Sequence, residues 1–177
     1  MYDYLTAIWA FGVGAIMSET AKALIACLQD HKRMIRCAES CTAGLIMAEL
    51  TAISGSSSVV DRGFVTYSND AKQEMLGVAQ STLMTYGAVS AETAFEMVKG
   101  ALGTGPDIYA GISVTGIAGP GGGSDDKPVG TIWIGTAIAR DEVLVRHHHF
   151  TGNRDEVRAK TVQAALEQLM SQFSEKR

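Results

Sequence analysis

The 177-residue chain has little proline and little cysteine, with three of each, and its aromatic residues make up only 7% of the total. Three cysteines are too few, and odd in number, for a disulfide framework, and they favour a reducing compartment. The chain has 15 lysine and arginine residues against 19 aspartate and glutamate residues, which gives a net charge of −4. It therefore lacks the excess of basic residues that is typical of a nucleic-acid-binding protein. With 46% hydrophobic residues the chain has enough apolar surface for a core, which excludes a disordered protein.

The sequence also lacks a hydrophobic run of membrane-spanning length, because the apolar stretch at residues 1–16 falls short of about 20 residues. No lysine or arginine precedes this stretch, as a secretory signal would need. We therefore predict a cytoplasmic protein with no membrane partner. Residues 1–16 are expected to be a non-essential extension, with a partner-docking helix as the alternative, and residues 17–177 a single domain. Ser18 is expected to cap the first helix of that domain.

Apolar residues alternate between helical spacing and short buried runs along the rest of the chain. Helices are expected at 18–30, 45–50, 70–77, 90–102 and 154–172, and strands at 34–37, 64–67, 108–114, 131–139 and 142–150. The last two strands should form a hairpin through Arg140 and Asp141, and Asn153 with Glu156 resembles a capping box for the final helix. Strands alternating with helices predict a three-layer α/β/α single domain with a mixed β-sheet.

The first segment that could carry chemistry lies at 38–44, where a strand ends and a helix begins. Ser40, Cys41 and Thr42 are all potential nucleophiles there, and the first helical N–H groups could stabilise an oxyanion. The simpler interpretation is that Ser40 or Thr42 only caps the helix. The segment does not match the G-x-S-x-G motif, which excludes an α/β-hydrolase assignment.

The second segment, 63–72, also leaves a strand and enters a helix, so both segments should reach the same edge of the sheet. Tyr67 and Lys72 could both point toward that crevice. A lysine with a lowered pKa can act as the base for a serine, and no histidine is placed near either turn to do so. A solvated helix lysine is the alternative for Lys72.

Two further segments could contact a ligand. The loop at 115–130 contains six glycines, which allow close approach of the backbone and an anion-binding nest, although it matches neither Walker A nor G-x-G-x-x-G. The loop could equally be mobile. Arg154 lies in the first turn of the last helix, where a cation is unfavourable, so a substrate phosphate could compensate it. A salt bridge to Asp155 or Glu156 is the alternative.

Three consecutive histidines, at 147–149, raise the question of a metal site. On a strand only His147 and His149 would share a face, and no aspartate, glutamate or cysteine is spaced to complete a ligand set. An exposed strand is therefore the preferred interpretation, and we predict no metal.

Taken together, five segments resemble the CinA C-terminal-domain family, the nicotinamide-nucleotide amidohydrolases. They are AESCTAG at 38–44, RGFVTYSNDAK at 62–72, GAVS at 87–90, SVTGIAGPGGGSDDKPVGT at 113–131 and FTGNRDEVR at 150–158. The similarity covers residues 18–173, and five motifs in order are more specific than any one of them. The larger molybdopterin-binding-like domain of full-length CinA proteins has no counterpart here, so the chain is similar to the stand-alone deamidase form.

The resemblance implies hydrolysis of the carboxamide of nicotinamide mononucleotide to nicotinate mononucleotide and ammonia, without a cofactor. It implies that Ser40 is the nucleophile, Lys72 its general base and Tyr67 a residue that orients Lys72 or relays protons. The other residues implied to lie at the substrate, through its phosphate, carboxamide or ribose, are Arg154, Ser57, Thr42, Thr115 and Gly116.

Two other functions remain open at this stage. One is a non-catalytic nucleotide-binding or regulatory module linked to competence or DNA damage, and the other is a metal-dependent hydrolase that uses the histidines. The presence of both Ser40 and Lys72 favours the serine amidohydrolase. We expect a small-molecule nucleotide as the partner and no nucleic acid, and a domain of this size could form a homodimer.

Overall fold

The computed structural model describes residues 13–104, 109–139 and 142–175. The helices are α1 (Val13–Asp30), α2 (Leu45–Thr51), α3 (Asn69–Leu76), α4 (Gln80–Tyr86), α5 (Ala91–Leu102) and α6 (Arg154–Ser174), with a 3-10 turn at Ser56–Ser58. The strands are β1 (Met34–Glu39), β2 (Val60–Val65), β3 (Tyr109–Gly116), β4 (Thr131–Ala137) and β5 (Val143–His149). Within these ranges no helix has both the length and the apolar character needed to cross a membrane.

The five strands form one mixed sheet, as the sequence predicts, and their order is β2-β1-β3-β4-β5. Strand β1 pairs in parallel with β2 and β3, whereas β4 is antiparallel to both of its neighbours. Two successive reversals make β5 run in the same direction as β3. Four of the five strands therefore end at the same edge of the sheet.

Helices cover both faces of this sheet, which confirms the three-layer α/β/α architecture. Successive residues of a strand point to opposite faces, and on β1 Cys37 packs into one core and Ala38 into the other. The core on the Cys37 side receives side chains from α1, α2 and α6, including Leu24, Leu50 and Leu166. The core on the other side receives side chains from α3, α4 and α5, namely Leu76, Leu83, Met97 and Ala101.

Several element boundaries differ from the sequence-based expectation. Helix α1 begins at Val13, so Ser18 lies inside a helix rather than at its N-cap. Strand β2 begins and ends earlier than predicted, because residues 60–65 are the ones that pair with β1. Helix α4 was not predicted, since its short sequence, QSTLMTY, carries too few periodic apolar residues.

At the other end of the chain the expected features are present. Strands β4 and β5 are antiparallel, although the predicted turn residues Arg140 and Asp141 lie outside the described part. The capping box at α6 is confirmed, with Asn153 Oδ1 accepting from Glu156 N at 3.0 Å and the Glu156 carboxylate accepting from Asn153 N at 2.8 Å.

Close packing of α5 against the end of α3 depends on Gly100. A Cβ atom at this position would lie 2.7 Å from the Leu76 carbonyl carbon, which is backbone and cannot rotate away. We predict that Gly100→Ala lowers the free energy of unfolding by about 1–3 kcal/mol, although alanine is the better helix former. Urea denaturation would measure this. Gly121→Ala is the matched control, because nothing lies within 4 Å of its added methyl group, and equal midpoints for the two variants would contradict the prediction.

Candidate active site

A serine and a lysine lie in hydrogen-bond contact where β1 and β2 end. Lys72 Nζ is 3.1 Å from Ser40 Oγ and donates a second hydrogen bond to the Thr66 carbonyl oxygen at 2.8 Å. Ser40 directly follows β1, and Thr66 directly follows β2, its neighbour in the sheet. The parallel pairing of these strands therefore brings together two segments that are 32 residues apart in the sequence.

The environment of Lys72 favours the neutral amine. The side chain is only 1% exposed, and it is among the largest fully buried side chains among the described residues. Burial lowers the pKa of Lys72 from its ordinary value of 10.5, because desolvation disfavours the ammonium form. The pair therefore combines a weak nucleophile with a nitrogen able to accept its proton.

Local sequence explains why Lys72 points inward. Ser68 caps α3 by accepting a hydrogen bond from Ala71 N at 3.0 Å, which fixes where the helix begins. Lys72 and Leu76 are four residues apart and share one helix face. Because Leu76 packs into the core, Lys72 is carried inward with it, to the end of the sheet.

The helix that follows the serine does not have a free N-terminus. The buried carboxylate of Glu39 accepts hydrogen bonds from the backbone N–H groups of Gly44, Ile46 and Met47 at 2.9–3.1 Å. The expectation that these helical N–H groups stabilise an oxyanion is therefore wrong, since a carboxylate already occupies them. Of the N–H groups between Ser40 and Gly44, that of Ala43 donates to the Ser40 carbonyl oxygen at 3.2 Å, whereas those of Cys41 and Thr42 are not taken by Glu39.

A cavity of about 190 Å³ opens above the Ser40–Lys72 pair. It is smaller than the roughly 300–1,000 Å³ of sites that enclose a drug-sized ligand, so it suits the reacting end of a larger molecule. Six predicted site residues line it, together with four other residues. The complete lining is Ser40, Cys41, Tyr67, Lys72, Ala88, Val89, Thr115, Gly116, Ala118 and Arg154.

Arg154 spans the rim of this cavity. Its Nη1 donates to the Gly119 carbonyl oxygen at 2.8 Å, and its Nη2 donates to the Tyr67 hydroxyl at 3.3 Å. A guanidinium has five N–H groups, so donors remain for a ligand. Tyr67 is 65% exposed and stands at the entrance of the cavity.

The glycine-rich loop forms a wall that is tied to its surroundings. Lys127 Nζ donates to the carbonyl oxygens of Tyr86 and Val89, each at 2.8 Å, and Thr115 Oγ1 donates to the Ala88 carbonyl oxygen at 2.7 Å. The residues of this region that line the cavity are Thr115, Gly116 and Ala118, rather than the glycines at 121–123. These bonds favour the ligand-facing interpretation of the loop over the mobile one.

Cys41, another potential nucleophile by sequence, also borders the cavity. Its thiol is buried, and burial raises the pKa of Cys41 to about 12. The thiolate is therefore negligible near neutral pH, and the neighbouring Ser40 is the group with a base in contact.

Two predicted substrate-binding residues are not brought to the cavity. Ser57 lies in the 3-10 turn before β2, and β2 runs for roughly 20 Å toward the site, so Ser57 is at the opposite edge of the sheet. Thr42 lies under the turn with no exposed surface, where its hydroxyl donates to Glu39 at 2.7 Å and its carbonyl oxygen accepts from Arg158 at 3.0 Å.

The histidine segment forms β5 at the edge of the sheet, where His147 and His149 are exposed. His147 packs against Trp133, with ring centroids 4.8 Å apart. Across residues 13–104, 109–139 and 142–175, no group of three or more histidine, cysteine, aspartate or glutamate side chains is placed to hold a metal ion.

Comparison with known proteins agrees with this geometry. The CinA C-terminal domain family model matches residues 17–173. The chain belongs to the CinA C-terminal domain family. A curated CinA-family relative, the nicotinamide-nucleotide amidohydrolase PncC of Enterobacter agglomerans, is 50% identical over 140 residues, which is 78% of this chain and 84% of the relative. PncC of Escherichia coli strain K12 is 49% identical over 146 residues, covering 82% and 88%.

Solved structures of CinA relatives share the fold. The crystal structure of the competence/damage inducible protein CihA from Agrobacterium tumefaciens superposes with a TM-score of 0.83 at 49% identity. The superposition covers 88% of this chain and 94% of that one. The family assignment and the three-layer architecture are therefore both confirmed.

Sequence reasoning missed three residues that shape this CinA site: Glu39, Lys127 and Arg158. All three bind backbone groups: Glu39 within its own segment, and Lys127 and Arg158 in segments that are distant in the sequence. Glu39 had a signal, because an acidic residue at the end of a buried strand requires partners. For Lys127 and Arg158 no local pattern distinguishes them from solvated side chains.

The lowered pKa of Lys72 can be tested without any substrate. We predict that, in a protein with isotope-labelled lysine side chains, one lysine titrates with a pKa below its ordinary value of 10.5, because burial disfavours its charge. Heteronuclear NMR across a pH series would measure the midpoint, and the resonance should be missing from Lys72→Met. If every lysine titrated at its ordinary value, Lys72 would be charged at neutral pH.

Proposed function

We propose that this chain is a nicotinamide-nucleotide amidohydrolase, which hydrolyses the carboxamide of nicotinamide mononucleotide to nicotinate mononucleotide and ammonia in pyridine nucleotide salvage. The observation that carries the proposal is the 3.1 Å contact between Ser40 Oγ and the buried Lys72 Nζ, in a chain about half identical to PncC enzymes. Burial of an amine costs stability. A module that only bound a nucleotide would gain nothing from placing that amine against a serine hydroxyl.

In the proposed first step, neutral Lys72 accepts the Ser40 hydroxyl proton while Ser40 Oγ attacks the carboxamide carbon. The Thr66 carbonyl oxygen accepts one N–H of Lys72, which directs the nitrogen lone pair toward Ser40. The carbon–nitrogen bond of the tetrahedral intermediate then breaks. The Lys72 ammonium returns its proton to the leaving nitrogen, which departs as ammonia and leaves an ester on Ser40.

The second half of the reaction repeats this proton transfer with water. Lys72 accepts a proton from a water molecule that attacks the ester carbonyl, and the proton passes to Ser40 Oγ as the carbon–oxygen bond breaks. Ser40 and neutral Lys72 are thereby regenerated, and the carboxylic acid product releases its proton to solvent and leaves as a carboxylate. For the oxyanion of both intermediates we propose the N–H group of Cys41, which lines the cavity, because Glu39 occupies those of Gly44, Ile46 and Met47.

The rest of the nucleotide is proposed to lie at the cavity mouth. The small volume of the cavity accommodates the carboxamide end, beside Thr115 and Gly116. The ribose and phosphate would then extend toward Tyr67 and Arg154, which stand at the rim. Arg154 is the proposed phosphate ligand, and Tyr67 orients it through the 3.3 Å hydrogen bond.

The wider setting is also part of the proposal. The reaction as written needs no cofactor, and the partner is a small nucleotide rather than a nucleic acid or a membrane. Three free cysteines suit a cytoplasmic location. We further propose that residues 17–177 are sufficient for activity and that residues 1–16 are not essential, with a homodimer as the assembly that light scattering would test.

We predict that Ser40→Ala and Lys72→Ala each lower kcat for nicotinamide mononucleotide by at least about 1,000-fold, because each removes a partner in proton transfer. Release of ammonia by the purified protein is the measurement. Cys41→Ala should lose less than about 10-fold, since its thiol is protonated. Loss of activity in Cys41→Ala with full activity in Ser40→Ala would reverse the choice of nucleophile, and no ammonia from the wild type would contradict the function.

We predict that Arg154→Ala raises KM for nicotinamide mononucleotide by about 10–100-fold, which corresponds to one charge-assisted hydrogen bond to the phosphate. Steady-state kinetics with the nucleotide and with its dephosphorylated riboside would measure it. The riboside should be much less sensitive to the substitution. Arg146→Ala, an exposed arginine on β5, is the matched control, and an unchanged KM in Arg154→Ala would remove Arg154 from the binding site.

A further inference from the structure

The last residue of β1 carries a carboxylate that the proposed reaction does not use. Glu39 has no exposed surface. Its Oε2 accepts hydrogen bonds from Thr42 Oγ1, Gly44 N and Ile46 N at 2.7, 2.9 and 3.1 Å, and its Oε1 accepts one from Met47 N at 3.0 Å. All four donors come from the turn and the first residues of α2, so the carboxylate is paired with the positive end of that helix.

The carboxylate replaces the N-cap that α2 lacks. The N-cap position is Gly44, which has no side chain to accept the first helical N–H groups. The turn before it is unusual, because Ala43 (φ 52°) and Gly44 (φ 99°) both have left-handed backbone conformations. A non-glycine residue in that region costs about 1 kcal/mol, so other bonds must maintain the turn. Glu39, the residue immediately before Ser40, accepts these hydrogen bonds.

The turn that carries the nucleophile is thus closed into a ring. Ser40 lies between Glu39 and the N–H groups that bind the Glu39 carboxylate. A second restraint comes from α6, where Arg158 Nη2 donates to the Thr42 carbonyl oxygen at 3.0 Å. Neither restraint contacts the cavity, since Glu39 and Arg158 are not among the residues that line it.

We propose that Glu39 is a positioning residue, whose buried carboxylate fixes the 40–44 turn so that Ser40 Oγ stays within hydrogen-bond reach of Lys72. This inference rests on the proposed function, because it assigns Glu39 a role in the same reaction. Glu39 acts through the backbone and not through proton transfer. Burial lowers the pKa of Lys72, and the neighbouring Cys41 raises it.

The decisive variant is Glu39→Gln, which keeps the shape of the side chain. The glutamine oxygen can still face the three donors of Oε2, but its NH2 group would then point at Met47 N–H, donor against donor. The turn should shift by a fraction of an ångström. Because misplacement of a reacting group by about 1 Å can cost about 100-fold, we expect kcat to fall about 10–100-fold.

KM separates a positioning role from a binding role. We expect KM for nicotinamide mononucleotide to stay within about threefold, since Arg154 and the loop wall come from other segments. The pH at which kcat/KM rises with deprotonation of Lys72 should not move. A rise in KM as large as the fall in kcat would assign Glu39 to substrate contact, and a displaced pH profile would assign it to the proton path. Either result would overturn the proposal.

A second readout does not depend on the natural substrate. A fluorophosphonate probe reports the reactivity of Ser40 directly, because Ser40 Oγ displaces fluoride from phosphorus while its proton passes to Lys72. The labelling rate should fall in Glu39→Gln by a factor similar to that of kcat. If the wild type is labelled but does not hydrolyse the nucleotide, the proposed function fails while the labelling rates still test Glu39. Absence of both reactions in the wild type would overturn both.

Two controls separate geometry from loss of stability. Thr42→Val removes one donor to Glu39 with little change in shape, and Thr42→Ser retains that donor, so Thr42→Ser should recover a large part of the rate lost in Thr42→Val. Gln168→Ala removes a buried side chain that bonds to β4 and β5, and it should lower stability without this loss of labelling. Equal labelling of Glu39→Gln and wild type, or an equal loss in Gln168→Ala, would overturn the positioning role.

Discussion

The hydrogen bond between Lys72 and Ser40 is the interaction on which the arrangement of the site depends. It requires an amine with almost no exposed surface, and such a group is stable there only if its hydrogen-bond capacity is used and its charge is suppressed. The Thr66 carbonyl oxygen and the Ser40 hydroxyl provide the partners, and burial lowers the pKa of the amine. The desolvation that makes burial of the amine unfavourable also lowers its pKa, and so increases the fraction of neutral amine.

Strand direction explains why the chemically active residues meet. Four of the five strands end at one edge, and the segments that follow β1, β2, β3 and β5 contribute Ser40, Tyr67, Ala118 and Arg154 to one cavity. Ligands in open α/β sheets bind at the carboxyl ends of the strands for this reason. Ser57 precedes β2 instead of following it, and the same rule therefore places it at the opposite edge.

Of the charged groups near Ser40, Lys72 and Arg154 border the cavity, whereas Glu39 does not. The N-terminus of α2 would present a positive potential beside Ser40, yet Glu39 neutralises it from beneath. The cations that face the cavity are instead Lys72, whose pKa is lowered, and Arg154, which retains free N–H groups at the rim. A net acidic chain thus presents the guanidinium of Arg154 at the rim of its cavity.

The carbonyl groups of the chain are as important as its side chains in shaping the cavity. Lys127 binds two of them at the end of α4 and the start of the next segment, and Arg154 binds that of Gly119. These bonds convert a glycine-rich loop into a wall. They join segments about 40 residues apart, which is why the loop remained open to two interpretations in the sequence.

The sequence by itself determined the class of fold, the order of most elements and the nucleophile–lysine pair as candidates. These features are local. They depend on hydrophobic periodicity, on N-caps such as Ser68 and on motif spacing, all of which are determined by residues that are close in the sequence. Tertiary structure alone decided that Lys72 is buried rather than solvated, that Arg154 reaches Gly119 and Tyr67, and that Glu39 closes the serine turn. The first depends on desolvation, and the second on groups from distant segments. The third depends on the 39–47 segment folding back on its own carboxylate, and none of the three is encoded in the spacing of neighbouring residues.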